Sequence, residues 1–132
     1  MEQEMKKEKL REYLVCRGRL ERKCEEARRW RSLAQGAEPD LSNRLKVTVM
    51  EIDAECEALA GRTQRARGQL MAALEGLEDS RLRELLEAYY VEGKTTDQIC
   101  RERGWSRRYV LRLRGEAIRK VFGQVQKSAE KC

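Results

Sequence analysis

Histidine is absent from this chain of 132 residues, and proline occurs only once, at Pro39. The five cysteines form no CxxC pair, so a zinc site of the usual Cys/His type is not expected. Phosphate-binding loops, paired-carboxylate constellations and nucleophile motifs are missing as well. We therefore expect neither an enzyme nor a protein that needs a cofactor.

Aromatic residues are scarce, at 5%, whereas charged residues make up 39% of the chain. Such a composition is too polar for a thick globular core, and it favours helices that bury one narrow stripe. No run of about 18 apolar residues occurs, so no membrane span is expected. The odd cysteine count and the lack of a signal peptide predict a reducing cytoplasm.

The near-absence of proline leaves long segments free to be helical. Residues 2–34 are predicted as one helix with an imperfect heptad stripe, formed by Leu10, Tyr13, Arg17, Leu20, Cys24, Ala27, Arg31 and Ala34. After a break at Gly36 and Pro39, Asp40 or Ser42 is expected to cap the next helix.

That second helix is predicted over residues 41–78. Its stripe keeps a strict 3.5-residue period through Leu45, Val49, Ile52, Cys56, Leu59, Thr63, Ala66, Leu70, Ala73 and Leu77. This period is typical of a left-handed coiled coil. The three free cysteines on the helix faces, Cys24, Cys56 and Cys100, are interpreted as small hydrophobic residues.

We expect an all-α fold: an antiparallel coiled-coil hairpin over residues 1–78, a helix-turn-helix over 79–126 and a C-terminal tail over 127–132. Two long helices with a short connector most simply fold back on each other. The same stripes could instead pair between two chains, and the sequence leaves a homodimer through the coiled coil open.

Three further helices are predicted after the boundary at Asp79–Ser80, which is expected to act as a cap. The first covers 81–91, with an apolar side formed by Leu82, Leu85, Leu86, Tyr89 and Tyr90. The second covers about 96–103, buries Ile99 and Cys100, and begins with a capping box of Thr95 and Gln98. Gly104 is expected to end it in a left-handed conformation.

The last helix is predicted from Arg107 to about Gln126, with Ser106 as its cap. Val110, Leu113, Ala117 and Val121 recur at helical spacing and predict its buried stripe. The segment 101–120 carries eight cationic and two acidic residues, a net charge of +6 that equals that of the whole chain. One cationic helical unit on an otherwise neutral chain indicates binding to the phosphates of DNA.

A recognition helix needs cationic side chains opposite its buried stripe, since it reads base edges while its back packs on other helices. Arginine suits this role because its fork bonds guanine O6 and N7 together, while a leucine can contact a thymine methyl. The start of the preceding helix favours a phosphate. The candidate DNA-binding residues are Lys94, Thr95, Thr96, Ser106, Arg107, Arg108, Tyr109, Leu111, Arg112 and Arg119.

The segment 82–121 resembles the promoter-recognition helix-turn-helix, region four, of bacterial sigma factors. The matching residues are Leu85–Leu86, Tyr89–Tyr90, Glu92–Thr95, Asp97–Cys100, Gly104–Val110, Ala117 and Val121. The whole layout resembles small sigma-like regulators of phages and prophages, of the autolysin-regulator and late-gene activator type. The resemblance implies control of phage transcription in a bacterial cytoplasm, with bases faced by Arg107, Arg108, Leu111 and Arg112 and with RNA polymerase as a further partner.

Two alternatives remain open alongside a regulator that binds double-stranded DNA. The first is a phage DNA-packaging protein of the small-terminase kind, which would form a ring of many subunits. The second is a coiled-coil protein that binds RNA polymerase without DNA. Nothing in the chain resembles the sigma region that melts the −10 element, so a complete sigma factor is not expected.

Overall fold

The computed structural model describes the backbone of residues 2–130 and the side chains of residues 7–123. All regular elements in this part are helices, which confirms the all-α class: α1 (Glu2–Gln35), α2 (Pro39–Glu75), α3 (Ser80–Tyr90), α4 (Thr96–Arg103) and α5 (Arg107–Glu130). The last helix continues through the first residues of the predicted tail. Cys132 lies outside the described residues.

The chain divides into two compact units. The first, which we call the long-helix unit, consists of residues 15–66. The second combines residues 1–14 with residues 67–132. Both boundaries fall inside the long helices α1 and α2, and each unit is described by itself below.

In the long-helix unit, α1 and α2 exchange ion pairs. Lys23 Nζ lies 2.7 Å from Glu55 Oε2, and the Arg31 guanidinium pairs with the Asp53 carboxylate. Within this unit, the buried side chains are few: Ala27, Ala34, Ile52 and Thr63. The Thr63 hydroxyl donates to the Leu59 carbonyl at 2.7 Å, which satisfies its hydrogen bonding inside the helix.

The start of α2 differs from the prediction. The helix begins at Pro39, and the Ser42 amide already donates to the Glu38 carbonyl at 2.7 Å. Asp40 and Ser42 therefore lie within the first turn, and neither is the cap. The physical reason is that proline favours the first helical position, where its missing N–H would have no partner anyway.

The described cysteines are free thiols and are half-buried. Burial raises the pKa of the Cys56 thiol, and a hydrogen bond with Cys24 raises it further. The Cys56 thiol therefore stays protonated at neutral pH, which fits its predicted role as a small apolar side chain. Cys100 was predicted to be buried together with Ile99, but only Ile99 is buried, and Cys100 is half-buried like the other cysteines.

The second unit contains the largest core. α5 contacts both α3 and α4, and α3 contacts α4. The largest fully buried side chains are Tyr90, Leu74, Leu77, Leu82, Leu85, Leu86, Ile118 and Val110. The predicted apolar side of α3 and the predicted stripe of α5 are both buried there. Leu74 and Ile118 lie outside the predicted stripes and add to this core.

Polar caps begin the short helices. The Asp79 carboxylate caps α3 by accepting from the Arg81 amide at 3.0 Å. Hydrogen bonds from the Arg81 side chain and backbone hold the pKa of Asp79 below its usual value. At α4, Thr95 Oγ1 accepts from the Gln98 amide while Gln98 Oε1 accepts from the Thr95 amide. The capping box predicted from the sequence is thus confirmed.

Candidate nucleic-acid interface

The helix α5 is amphipathic, and its two sides carry different chemistry. Val110, Leu113, Ala117, Ile118 and Val121 are buried on one side. The exposed side carries Arg107, Arg108, Leu111, Arg112 and Arg119, and Leu111 is 43% exposed although it is apolar. The buried stripe fixes the helix, so the exposed side is held in one orientation.

The start of α5 is fixed by the turn that precedes it. Gly104 has a φ of 67°, and its amide donates to the Cys100 carbonyl at the end of α4. Ser106 Oγ then accepts from the Tyr109 amide at 3.1 Å, which confirms Ser106 as the cap of α5. The left-handed Gly104 at the end of α4 and the Ser106 cap of α5 together set the angle between the two helices through backbone geometry.

Arg107 is tied to the preceding helix. Its Nη1 donates to Asp97 Oδ1 at 2.8 Å, and both side chains are mostly exposed. Asp97 was absent from the predicted site, because a pairing across ten residues and a turn leaves no periodic signal. The bond holds the guanidinium of Arg107 at the first turn of α5.

An aromatic pair with arginines around it lies at the same end of α5. The Tyr109 and Trp105 rings meet edge to face, with centroids 5.3 Å apart. The Arg112 guanidinium lies 5.3 Å from the Tyr109 ring, and Arg103 lies 5.7 Å from the Trp105 ring. The Tyr109 hydroxyl accepts from Arg81 Nη1 at 3.1 Å.

The pair adds Trp105 to the site, although the sequence analysis had not selected it. Tyr109 is half-buried and shared by contacts from α3 and α5, so it serves as a support for Arg112. A cation over an aromatic face loses part of its rotamer freedom, and its guanidinium keeps its hydrogen-bond donors.

At the start of α4, the predicted phosphate-binding side chains already have partners. Thr95 is occupied by the capping box, and the Thr96 hydroxyl lies 2.6 Å from the Tyr89 hydroxyl. Lys94 Nζ lies 2.7 Å from a Glu102 oxygen and 3.0 Å from a Glu92 oxygen.

Hydrogen bonds with Glu102, and then with Glu92, raise the pKa of Lys94 above its usual value. The lysine is therefore charged but flanked by two carboxylates. Attraction of an anion to this end of α4 depends on the backbone more than on Lys94.

The eight cations of the segment 101–120 fall into two groups. Four have partners within the chain: Arg103 with Glu84, Arg107 with Asp97, Lys120 with Glu116, and Arg114 with Tyr90. Among the residues whose side chains are described, Arg101, Arg108, Arg112 and Arg119 form no ion pair. These four exposed guanidinium groups are the charge that is free to meet an external anion.

Arg114 belongs to the interior. Its guanidinium donates to the Tyr90 hydroxyl at 2.9 Å and 3.2 Å and lies 4.3 Å from the Tyr89 ring. This arginine links α5 to α3 and is half-buried.

The described residues contain no group of three or more His, Cys, Asp or Glu side chains arranged to hold a metal ion. In the same part of the chain, no helix carries an apolar stretch long enough to cross a membrane. Comparison with known proteins finds no matching family model, no matching curated protein and no matching solved structure.

Proposed function

We propose that this protein is a sequence-specific DNA-binding regulator of phage or prophage transcription. In this proposal α4 and α5 act as a helix-turn-helix, and α5 enters the major groove. The observation that carries it is the exposed first half of α5, where Arg108, Leu111 and Arg112 lie on one side while Val110 and Leu113 are buried on the other.

The first half of α5 supplies the chemistry for reading base edges. Arg108 and Arg112 each offer a planar fork that can bond guanine O6 and N7, and Leu111 offers an apolar contact to a thymine methyl. Arg107 and Arg112 are already held by Asp97 and by the Tyr109 ring. Side chains held in advance lose less conformational freedom on binding, which favours affinity.

Other groups would position the helix on the phosphates. Arg101 and Arg119 are exposed cations without an ion pair among the described side chains, and Ser106 lies beside the first turn of α5. At the start of α4, where Lys94, Thr95 and Thr96 lie, the first backbone N–H groups of the helix would meet a phosphate. Such contacts set the register of a protein on the DNA duplex but carry no sequence information directly.

For the long helices we propose an antiparallel coiled-coil hairpin. The ion pairs support this arrangement, because the later α1 residue, Arg31, pairs with the earlier α2 residue, Asp53, while Lys23 pairs with Glu55. In this proposal the hairpin sets the oligomeric state or holds a protein partner, with RNA polymerase as the partner that the sequence resemblance implies.

The test begins with selection of bound duplexes from a random library, followed by fluorescence anisotropy on the selected site. The double variant Arg108→Ala/Arg112→Ala should weaken binding to that site at least about 30-fold, since each bidentate contact is worth ~1–3 kcal/mol. The matched control, Arg28→Ala/Arg29→Ala, removes the same charge from exposed positions of α1 and should change binding less than about threefold.

Three other outcomes would overturn the proposal. Folded protein that enriches no sequence and binds no duplex would favour a coiled-coil protein that binds RNA polymerase without DNA. A ring of many subunits bound to one packaging site would favour the small-terminase function. Equal loss of binding by the two double variants would show that the arginines contribute only charge.

A further inference from the structure

The helix α2 has a second apolar face, in addition to the stripe that it buries. Val47, Met50, Ala54, Ala58 and Gly61 follow one another at three- and four-residue spacing, and we call them the outer face of α2. Val47 and Met50 are 57% and 70% exposed, and Ala54 and Ala58 are exposed as well. In a chain so rich in charge, a helix face with four uncharged residues exposed to solvent indicates a surface that is covered by a partner.

Charges beside this face change sign along the helix. Glu51, Ala58 and Arg65 are seven residues apart, so they lie nearly in line along one edge of the outer face. Glu51 and Arg65 are exposed, and neither forms an ion pair with any side chain that the structure describes. Along this edge, the acidic Glu51 therefore lies on one side of Ala58, and the basic Arg65 lies at the same distance on the other side.

A two-fold axis at Ala58 makes this edge complementary to itself. Each Glu51 lies about 10 Å along the helix from Ala58, and each Arg65 lies as far in the opposite direction. Two copies that meet antiparallel at Ala58 would thus place Glu51 of each copy beside Arg65 of the other. The contact would form twice, as in any isologous dimer.

We propose that a second copy of this chain docks antiparallel on the outer face of α2, with Ala58 at the two-fold axis. The small side chains of Ala54 and Ala58 let the two helices approach closely near the axis, while Val47 and Met50 of each copy add apolar area toward the ends. A parallel pair would instead place like charges together, Glu51 beside Glu51 and Arg65 beside Arg65.

This surface differs from the buried stripe of α2. The stripe residues Ile52 and Thr63 are buried within the chain, and Asp53 and Glu55 pair with α1. A dimer through the outer face leaves those contacts intact. The inference stands on the charges and exposure of α2 alone, so it holds whether or not the protein binds DNA.

Sedimentation equilibrium on the full chain at low salt tests the dimer. Wild-type protein should sediment as a dimer, and Glu51→Arg alone or Arg65→Glu alone should raise the dimer Kd at least about tenfold, or ~1.4 kcal/mol, because attraction becomes repulsion at two places. The double reversal Glu51→Arg/Arg65→Glu restores opposite charges and should return the Kd to within about threefold of wild type.

The control Arg28→Glu reverses one exposed charge on α1 and should leave the Kd unchanged, while circular dichroism checks that every variant is folded. Wild-type protein that stays monomeric near 1 mM, the scale of very weak association, would overturn the proposal. So would a higher oligomer, single reversals without effect, or a double reversal that fails to restore the dimer.

Discussion

The long-helix unit and the segment 74–121 are both helical, yet they are held together in different ways. Every one of the largest fully buried side chains lies in the segment 74–121. Among its described residues, the long-helix unit buries only Ala27, Ala34, Ile52 and Thr63, and it adds the ion pairs of Lys23 and Arg31. Exposed ion pairs contribute ~1 kcal/mol or less each, whereas a buried leucine contributes ~1.5–3 kcal/mol.

The two regions therefore differ in how firmly packing holds their exposed surfaces. The exposed side of α5 rests on a core of large aliphatic and tyrosine side chains, so its guanidinium groups extend from a fixed backbone. The long-helix unit has few buried side chains and none of the largest ones, so less of its structure depends on a tightly packed core. We infer that the surface of the long helices suits association, whereas the exposed side of α5 suits recognition of a fixed shape.

Truncation of one leucine in each region should give the largest effect and tests the comparison directly. Leu86→Ala should lower the free energy of unfolding by ~2–5 kcal/mol, because Leu86 is fully buried between helices. Leu59→Ala, at a half-buried stripe position of α2, should cost about 1 kcal/mol. Urea denaturation followed by circular dichroism measures both, and equal losses would contradict the comparison.

A smaller effect is expected at Arg114. The variant Arg114→Ala should lower the free energy of unfolding by ~1–2 kcal/mol, because it removes the hydrogen bonds to the Tyr90 hydroxyl and the contact with the Tyr89 ring. The matched variant Arg108→Ala removes the same charge from an exposed position and should stay within about 0.5 kcal/mol. Thermal melts of the two variants provide the measurement, and a smaller loss for Arg114→Ala than for Arg108→Ala would show that Arg114 is a surface cation.

The smallest effect on stability is expected from a fall in pH, and it arises at Asp79. Because the folded-state pKa of Asp79 is lowered by Arg81, the carboxylate stabilises the fold above its ordinary pKa and loses this contribution as pH falls below about 4. Asp79→Asn keeps an acceptor oxygen but cannot titrate. The gap in urea midpoint between wild type and this variant should therefore narrow from pH 7 to pH 3, and a constant gap would rule out the linkage.

Features that depend on neighbours in sequence were predictable. The capping box of Thr95 and Gln98, the left-handed Gly104, the Ser106 cap and the buried stripe of α5 all follow from spacings of a few residues. Local hydrogen bonding and helical periodicity determine each of them, and neither requires knowledge of the rest of the fold.

Features that depend on distant residues were not predictable. From the sequence, Arg114 is one of eight cations in the segment 101–120. Its contacts with Tyr90 and Tyr89, 24 and 25 positions earlier, make it half-buried. The pairing of Arg107 with Asp97 depends on the angle between α4 and α5. A count of cations in the segment 101–120 therefore overstates the charge without a partner, since four of the eight form an ion pair or hydrogen bond within the chain.

The two left-handed glycines on either side of α4 constrain how this protein can change over generations. Gly93 has a φ of 72° and Gly104 a φ of 67°, and any other residue there would cost ~1–2 kcal/mol. Substitutions on the outward side of α4 alter neither turn, whereas an insertion or deletion within it would displace one glycine from its turn. The two turns therefore restrict the eight-residue length of α4 more than they restrict the composition of its outward side.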